Sequence, residues 1–263
     1  MRLTFLGTGT SQGVPVIACH CRVCRSGDAR DSRLRTSALL QVAAGECGLS
    51  TDQAAINILF DIGPDFRQQM LRQGVEHLEA ILVTHAHRDH VAGLDDIRAF
   101  NYVQHSKMHL YMNREARMAI ERDYHYIFEP HIYPGLPEAE LHTVDARFAV
   151  HGVEVEPIHA MHKDLPVLGY RIGPLAYITD ANRIDDSEVE KLRGLKVLVV
   201  NALRKEKHFS HFCLPEALEL IERTSPERAY LTHISHDMGL HAEVQAELPQ
   251  GVALAYDNLS VDI

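Results

Sequence analysis

The sequence contains no apolar run close to the roughly 18 residues that a membrane-spanning helix needs. Met1 to Gly7 lead directly into a strand pattern, without the long apolar region and small-residue cleavage site of a signal peptide. Basic residues are fewer than acidic ones: the chain has 26 Lys and Arg and 36 Asp and Glu, which gives a net charge of −10. We therefore expect a cytoplasmic protein without membrane contact, and the charge argues against nucleic acid as a partner.

The cysteines do not form an even set that would support a framework of disulfides. There are five, and Cys19, Cys21 and Cys24 fall within six residues, which favours a reducing compartment. Cys47 and Cys213 have no partner in the sequence pattern, and we interpret them as structural. The chain also lacks a fixed-period repeat and a low-complexity linker, so its 263 residues are expected to form one domain, 1–263.

Strand and helix patterns recur along the whole chain. Short apolar runs at 80–83 and 196–200 predict buried strands, and Pro64 is placed to open a helix. A polar, Gly-containing stretch at 45–53 predicts a loop, while 124–142 has no clear period. Two similar halves, each mixing strands with helices, favour an α/β (α+β) fold of the αββα type, a sandwich of four layers.

The turn from Gly7 to Gly13 resembles a nucleotide-binding loop at first sight. Its spacing is G-x-G-x-x-x-G rather than G-x-G-x-x-G, and Val14-Pro15 follows where a helix should open. The pattern therefore favours a turn that brings backbone close to a buried site.

Four potential metal ligands lie within six residues after the apolar run 80–83: His85, His87, Asp89 and His90. Imidazole and carboxylate groups are the usual ligands of zinc, manganese or iron. A His-rich surface loop is the alternative, but the buried strand that leads into these residues favours a metal centre.

The stretch Thr84-His85-Ala86-His87-Arg88-Asp89-His90 matches the T-H-x-H-x-D-H motif of the metallo-β-lactamase superfamily. Within it, the chain resembles the PhnP-type phosphodiesterases of the carbon–phosphorus lyase pathway. Gly7 to Pro15, the cysteine cluster, and Leu231 to His236 carry that closer resemblance.

The resemblance implies three further ligands, each just after an apolar strand. They are His162, with His159 as its competitor, then Asp180 and His233. It implies that one metal is held by His85, His87 and His162, the other by Asp89, His90 and His233, with Asp180 shared by both. Asp61 is a candidate partner that orients a ligand histidine, or alternatively a turn residue at the end of a strand.

A second, closed metal site is predicted at the cysteines, since C-x-C-x-x-C spacing suits structural zinc. Three ligands are local, and the resemblance supplies His236 as the fourth. His20 is the local alternative, and three buried, inert cysteines are the alternative to a metal site.

The resemblance implies a binuclear metal-dependent phosphoric diester hydrolase with two divalent metals, zinc or manganese, with iron as the alternative. Its expected substrate is a small, cyclic phosphodiester, such as a ribosyl 1,2-cyclic phosphate or a 2′,3′-cyclic nucleotide, attacked by a hydroxide bridging the metals. Asp89 and His211 are the predicted catalytic residues, with His211 as general acid and His208 as the alternative.

Three rival functions stay open from the sequence. The fold also serves nucleases of the tRNA 3′-processing type and hydrolases of thioesters or lactams, because a fold does not name a substrate. A metal-binding sensor without turnover is the non-enzyme alternative. The resemblance also makes a homodimer possible, although no sequence pattern indicates one.

Overall fold

The computed structural model describes residues 1–43, 55–129 and 135–263. The loop predicted at 45–53 and Cys47 lie outside the described residues. Two seven-stranded sheets dominate what is described. Their strands are β1 (Arg2–Gly7), β2 (Ser37–Ala43), β3 (Ala55–Phe60), β4 (Ala80–Leu82), β5 (Met108–Met112), β6 (Ala139–Thr143), β7 (Phe148–Val150), β8 (Val153–His162), β9 (Leu165–Ile172), β10 (Leu175–Tyr177), β11 (Val197–Asn201), β12 (Arg228–Thr232), β13 (Val252–Leu254) and β14 (Ser260–Asp262).

The helices are short and connect the strands. They are α1 (Phe66–Gln73), α2 (Arg88–Val91), α3 (Arg98–Gln104), α4 (Arg114–Asp123), α5 (Asp186–Glu190), α6 (Leu214–Thr224) and α7 (His241–Glu247). Short 3-10 turns lie at Ala29–Asp31, Leu94–Ile97, His125–Ile127 and His236–Met238. Of the helices in the described ranges, none has the length and apolar character to cross a bilayer.

The strand order confirms the predicted four-layer αββα sandwich. One sheet runs β14-β1-β2-β3-β4-β5-β6 and the other β13-β12-β11-β10-β9-β8-β7. A core of side chains such as Phe60, Tyr170 and Tyr177 fills the space between the sheets. Two further cores lie outside them, one around Phe66 beneath α1, α3 and α4, the other around Leu220 beneath α5, α6 and α7.

Parallel pairing places the ligand-bearing strand ends together. In the first sheet β3, β4 and β5 run parallel, and in the second β10, β11 and β12 do. The carboxyl ends of parallel strands meet at one edge of a sheet, which is where open α/β sheets place their sites. The Leu168 amide donates to the Thr84 carbonyl at 2.9 Å and joins the two sheets at this edge.

The first helix differs from the sequence prediction. Helix α1 begins at Phe66 and Asp65 is its N-cap, so Pro64 precedes the helix instead of opening it. The Asp65 carboxylate accepts from the Arg35 amide at 2.8 Å and lies 3.0 Å from the Arg35 Nε. The helix start is therefore fixed by a tertiary ion pair that local sequence does not reveal.

The Gly-rich turn is anchored by a buried arginine. Arg33 is 4% exposed, and its Nη1 donates to the Thr8 hydroxyl at 2.8 Å and to the Ala255 carbonyl at 2.6 Å. The Thr8 hydroxyl in turn donates to Asp257 at 2.9 Å. The Arg33 Nη2 lies 3.3 Å from the His241 Nδ1, which therefore accepts. This cluster ties the turn to the C-terminal strands and to α7.

The stability of this cluster should depend on pH through His241. Burial, together with the cations Arg33 and Arg30, lowers the pKa of His241 to about 4 from an ordinary 6.5. The folded state thus binds this proton less tightly than the unfolded state, so stability present above pH 6.5 is lost as the pH falls toward 4. When the pH is lowered from 7 to 5, the free energy of unfolding of His241→Gln should fall by about 1–2 kcal/mol less than that of the wild type.

Urea denaturation at several pH values measures this difference, because glutamine keeps an acceptor toward Arg33 but does not titrate. The exposed His125, changed to glutamine, is the matched control and should follow the wild type. Parallel pH profiles for wild type and His241→Gln would contradict the burial of a neutral imidazole here.

Candidate metal centre

The motif loop after β4 is held by the carboxylate of Asp61, which is fully buried. Asp61 accepts from the Thr84 amide at 2.7 Å, from the Thr84 hydroxyl at 2.9 Å and from the His90 Nδ1 at 2.7 Å. The last of these bonds leaves the His90 Nε2 as the nitrogen with a free lone pair. The structure thus places Asp61 against one of the histidines that the sequence predicts as ligands, in the position of an orienting partner.

One group of candidate ligands converges around Asp180. The Asp180 Oδ2 lies 3.1 Å from the His90 Nε2 and 3.2 Å from the His233 Nε2. Asp89 Oδ2 is 3.3 Å from the same His90 nitrogen and 3.5 Å from that of His233. Two imidazoles and two carboxylates therefore point at a common position, as the predicted second metal requires.

The other group consists of three imidazole rings. The His87 ring centroid lies 4.5 Å from that of His85 and 5.1 Å from that of His162, and His85 and His162 are 5.7 Å apart. The two groups adjoin, since ligand atoms of His85, His90 and Asp180 all lie within 4.8 Å of one another. Asp180 is the residue between the groups, in the place predicted for a shared ligand.

The structure separates His162 from its competitor. His162 ends β8, and its Nδ1 donates to the Ser210 carbonyl at 2.7 Å, so its Nε2 faces the site unprotonated. His159 is exposed, and its Nε2 contacts the Asp145 carbonyl at 3.2 Å instead. Only His162 of the two is brought to the ring cluster.

The donor set fits divalent cations. Among the described residues, the Nε2 atoms of His85, His90 and His233 are buried without a hydrogen bond. Buried polar atoms left in this way are rare and call for an explanation, and ligation of a metal supplies it. The site thus fits two metals, and their identity and number stay a prediction.

The charge balance supports the same conclusion. Burial disfavours a charged His90, but the carboxylates of Asp180, Asp89 and Asp61 outweigh it and raise the pKa of His90 well above its ordinary value. Burial likewise disfavours the Asp180 carboxylate, yet His233 and His90 outweigh it and hold the pKa of Asp180 well below its usual range. Three carboxylates at a buried site need positive charge beside them.

Backbone conformation is unusual at three of these residues. Asp61, Asp180 and His233 have φ values of 57°, 55° and 56°, in the left-handed region that non-glycine residues seldom occupy. Such conformations persist only where the surroundings enforce them, and they concentrate at functional sites. Asp61 and His233 directly follow β3 and β12, and Asp180 lies three residues after the end of β10.

The cysteine cluster lies where the sequence predicts it. The Sγ atoms of Cys19, Cys21 and Cys24 lie 3.3, 3.3 and 3.6 Å from the His236 Nδ1, and all four ligand atoms fall within 4.8 Å. The Cys24 amide bonded to Cys21 Sγ lowers the pKa of that thiol to about 6. His20 is exposed and stands outside the group. The arrangement fits a closed tetrahedral zinc site.

His211 reaches the centre from the loop before α6. Its Nε2 lies 2.9 Å from the Asp180 Oδ1, and its Nδ1 lies 3.2 Å from the His208 Nδ1 and 3.1 Å from the Ser210 hydroxyl. His208 therefore contacts His211 and lies farther than His211 from Asp180. The supporting role of Ser210 is absent from the sequence predictions, because a contact to a backbone carbonyl leaves no residue-type signal.

A cavity of about 530 Å³ opens beside the ligand Asp89. The Gly-rich turn contributes Ser11 and Gln12 to its wall, and the guanidinium groups of Arg35 and Arg88 contribute positive charge. Ile17 stands at this cavity and is 95% exposed. The turn therefore borders the metal centre, in agreement with the prediction that it approaches a buried site.

Comparisons with known proteins agree with this geometry. Residues 56–234, more than half of the chain, match the beta-lactamase superfamily domain. The chain belongs to the metallo-β-lactamase superfamily. A crystal structure of a diphosphatase from the PhnP family superposes with a TM-score of 0.89 at 36% identity, covering 100% of this chain and 97% of that one. The predicted resemblance to the PhnP family is confirmed.

Two further proteins extend the comparison. The chain is 41% identical over 266 residues to an octanoyltransferase of Porphyromonas gingivalis, covering 100% of this chain but spanning only about half of that protein, 52%. Human short-form tRNase Z has a TM-score of 0.72 at 18% identity, covering 100% and 99% of the two chains, a likeness of fold alone. These comparisons show the family and the fold, and the activity and the substrate are separate questions.

Proposed function

We propose that this superfamily member is a binuclear metal-dependent phosphodiesterase acting on small phosphodiesters, cyclic ones included. The observation that carries the proposal is the pair of adjoining ligand sets that meet at Asp180. Sites of this kind stabilise both the attacking and the leaving oxygen of an in-line displacement at phosphorus. The similarity to the PhnP-family diphosphatase supports phosphorus chemistry at this centre.

The cavity beside Asp89 suits an anionic substrate of modest size. Its volume of about 530 Å³ matches a nucleotide-sized ligand rather than a polymer. Arg35 is held by Asp65, while Arg88 donates to the Tyr124 hydroxyl at 2.9 Å and lies over its ring at 5.3 Å. Both guanidinium groups are thereby fixed beside the metal centre, where a phosphate group is attracted.

The chain's own residues have separable roles in such a reaction. Bound divalent ions would supply an activated water and neutralise charge on the phosphoryl oxygens. Asp61 and the Ser210 carbonyl orient His90 and His162, while Asp180 joins the two ligand sets. His211 is the remaining imidazole at the centre, and it is placed to give a proton to the leaving oxygen.

The role of His211 can be separated from simple support of Asp180. If it is the general acid, His211→Ala should lower kcat by about 10²–10⁴ for an alkyl leaving group but much less for an activated aryl one. If it only positions Asp180, both substrates should lose the same factor and metal content should fall. Comparison of kcat for the two substrates decides between these roles, with the exposed His125→Ala as the matched control and His208→Ala as the test of the alternative acid.

Thioester hydrolysis is the second candidate. The 41% identical relative is called an octanoyltransferase, which acts on acyl groups, although this chain spans only 52% of its length. The exposed apolar side chains of Ile17 at the cavity and Phe209 beside His208 offer contacts for an acyl chain. The charged guanidinium groups in the same cavity favour the phosphodiester.

The test is a substrate panel assayed with zinc-loaded and manganese-loaded protein. It contains an activated aryl phosphodiester, 2′,3′-cyclic nucleotides, a ribosyl cyclic phosphate, a diphosphate-linked dinucleotide, an octanoyl thioester and a tRNA precursor, with Asp89→Ala as the inactive control. We expect the wild type to hydrolyse the small phosphodiesters and the Asp89→Ala control not to do so. Turnover of the thioester or tRNA alone would assign the protein to that class of enzyme. No turnover of any substrate would indicate a metal-binding protein without activity.

A further inference from the structure

A third cluster of metal-ligand side chains lies away from both sites described above. His109 of β5 and Glu140 and His142 of β6 meet at the edge of the first sheet. The His109 Nδ1 lies 2.9 Å from the His142 Nε2, which in turn lies 3.8 Å from the Glu140 Oε1. All three residues lie on one face, because the parallel register pairs His109 with Glu140 and Tyr111 with His142.

The cluster is held in place by a stack of rings. The His142 ring packs on Tyr111 at 4.5 Å between centroids, and Tyr111 packs on Phe148 of β7 at 4.8 Å, both nearly parallel. Strands β6 and β7 are the edge strands of the two sheets, so the stack closes this side of the sandwich. The imidazole of His142 is therefore oriented by the fold, and it stays 30% exposed and accessible to an ion.

We propose that His109, Glu140 and His142 bind a divalent transition-metal ion, zinc in the first place. Two imidazoles and one carboxylate form a three-ligand zinc set that leaves one position for water. Zinc bonds of ordinary length place tetrahedral ligand atoms about 3.3 Å apart. The nitrogen pair must widen slightly from 2.9 Å and the carboxylate approach from 3.8 Å. The Glu140 side chain is 55% exposed and free to make that shift.

Binding exchanges one interaction for another at this edge. Without metal, one imidazole donates its hydrogen to the other, as the separation of 2.9 Å indicates. With zinc, that hydrogen moves to the far nitrogen of its own ring and both facing lone pairs bind the ion. The ion then connects β5 to the edge strand β6, and this inference does not depend on the proposed hydrolytic function.

The test counts zinc equivalents. Chelator-treated protein is titrated with Zn²⁺ in competition with a chromogenic chelator, and the His109→Gln/His142→Gln double variant should bind one equivalent fewer than the wild type. Hydrolytic turnover of the double variant should equal that of the wild type, because neither residue contacts the metal centre. The matched control is His77→Gln/His125→Gln, which removes two exposed histidines elsewhere and should keep the full count.

A single conservative substitution controls for the case in which the double variant disturbs the structure of β6. Glu140→Gln keeps the size of the side chain and should weaken binding of the same equivalent at least about tenfold, with an unchanged circular dichroism spectrum. Wild-type stoichiometry and affinity in both variants would overturn the proposal and leave a hydrogen-bonded histidine pair.

Discussion

Replacement of Asp180 with alanine should lower kcat for hydrolysis by at least about 10³-fold. The Asp180 carboxylate lies within 3.2 Å of the His90 and His233 nitrogens and accepts from His211 on its other oxygen at 2.9 Å. Its loss removes a negative charge from between the two ligand sets, so at least one metal should bind more weakly. Metal content and turnover measured on the same sample test both parts.

Two further variants separate the effect of charge from other effects of the substitution. Asp180→Asn keeps the shape but removes the charge, and it should be nearly as inactive if the carboxylate binds metal. Asp186→Ala removes a carboxylate that is 92% exposed on α5, and it should leave turnover unchanged. More than a tenth of wild-type activity in Asp180→Ala, with full metal content, would show that the proposed ligand assignment is wrong.

Replacement of Cys21 with serine should cost one zinc equivalent and at least about 3 kcal/mol of stability. The thiol lies 3.3 Å from the His236 Nδ1, and the chain around it has little secondary structure of its own to hold it. For a domain of this size, such a loss corresponds to a fall in Tm of roughly 6–12 °C. Metal analysis and thermal unfolding measure the two effects.

Cys213 offers a matched control for this variant. It is buried outside the cluster as the N-cap of α6, a position that serine also favours. Cys213→Ser should therefore keep its zinc and most of its stability. If Cys21→Ser behaved in the same way, the three clustered cysteines would be inert core residues.

Sequence patterns predict the long buried elements of this fold better than its edges. The run at 196–200 predicts a buried strand, and β11 extends from Val197 to Asn201 with all five residues buried. Strand β14 has only Val261 buried among its three residues, and β7 is equally short, so neither carries a period. Helix α2 is not predicted, because three of its four residues belong to the metal motif and only Val91 is apolar.

The metal centre could be predicted because its ligands follow buried strands in a recognisable motif. The sequence does not reveal the hydrogen bonds and backbone conformations that orient these ligands. The bond from His162 to the Ser210 carbonyl spans 48 positions and involves backbone, so no residue type reveals it. The left-handed conformations of Asp180 and His233 also depend on the surrounding structure, since such conformations are uncommon even for Asp and His, which adopt them more often than most residues.

The candidate ligands of the metal centre come from both halves of the sandwich. His85, His87, Asp89 and His90 follow β4 of the first sheet, whereas His162 ends β8 of the second sheet and Asp180 and His233 follow β10 and β12 of that sheet. A pocket of this kind exists only once the halves have docked, so each bound ion favours the docked state by RT ln(1 + [L]/Kd). At a hundredfold excess over Kd that is about 2.7 kcal/mol per ion, so metal ions bound at this centre would resist separation of the two sheets.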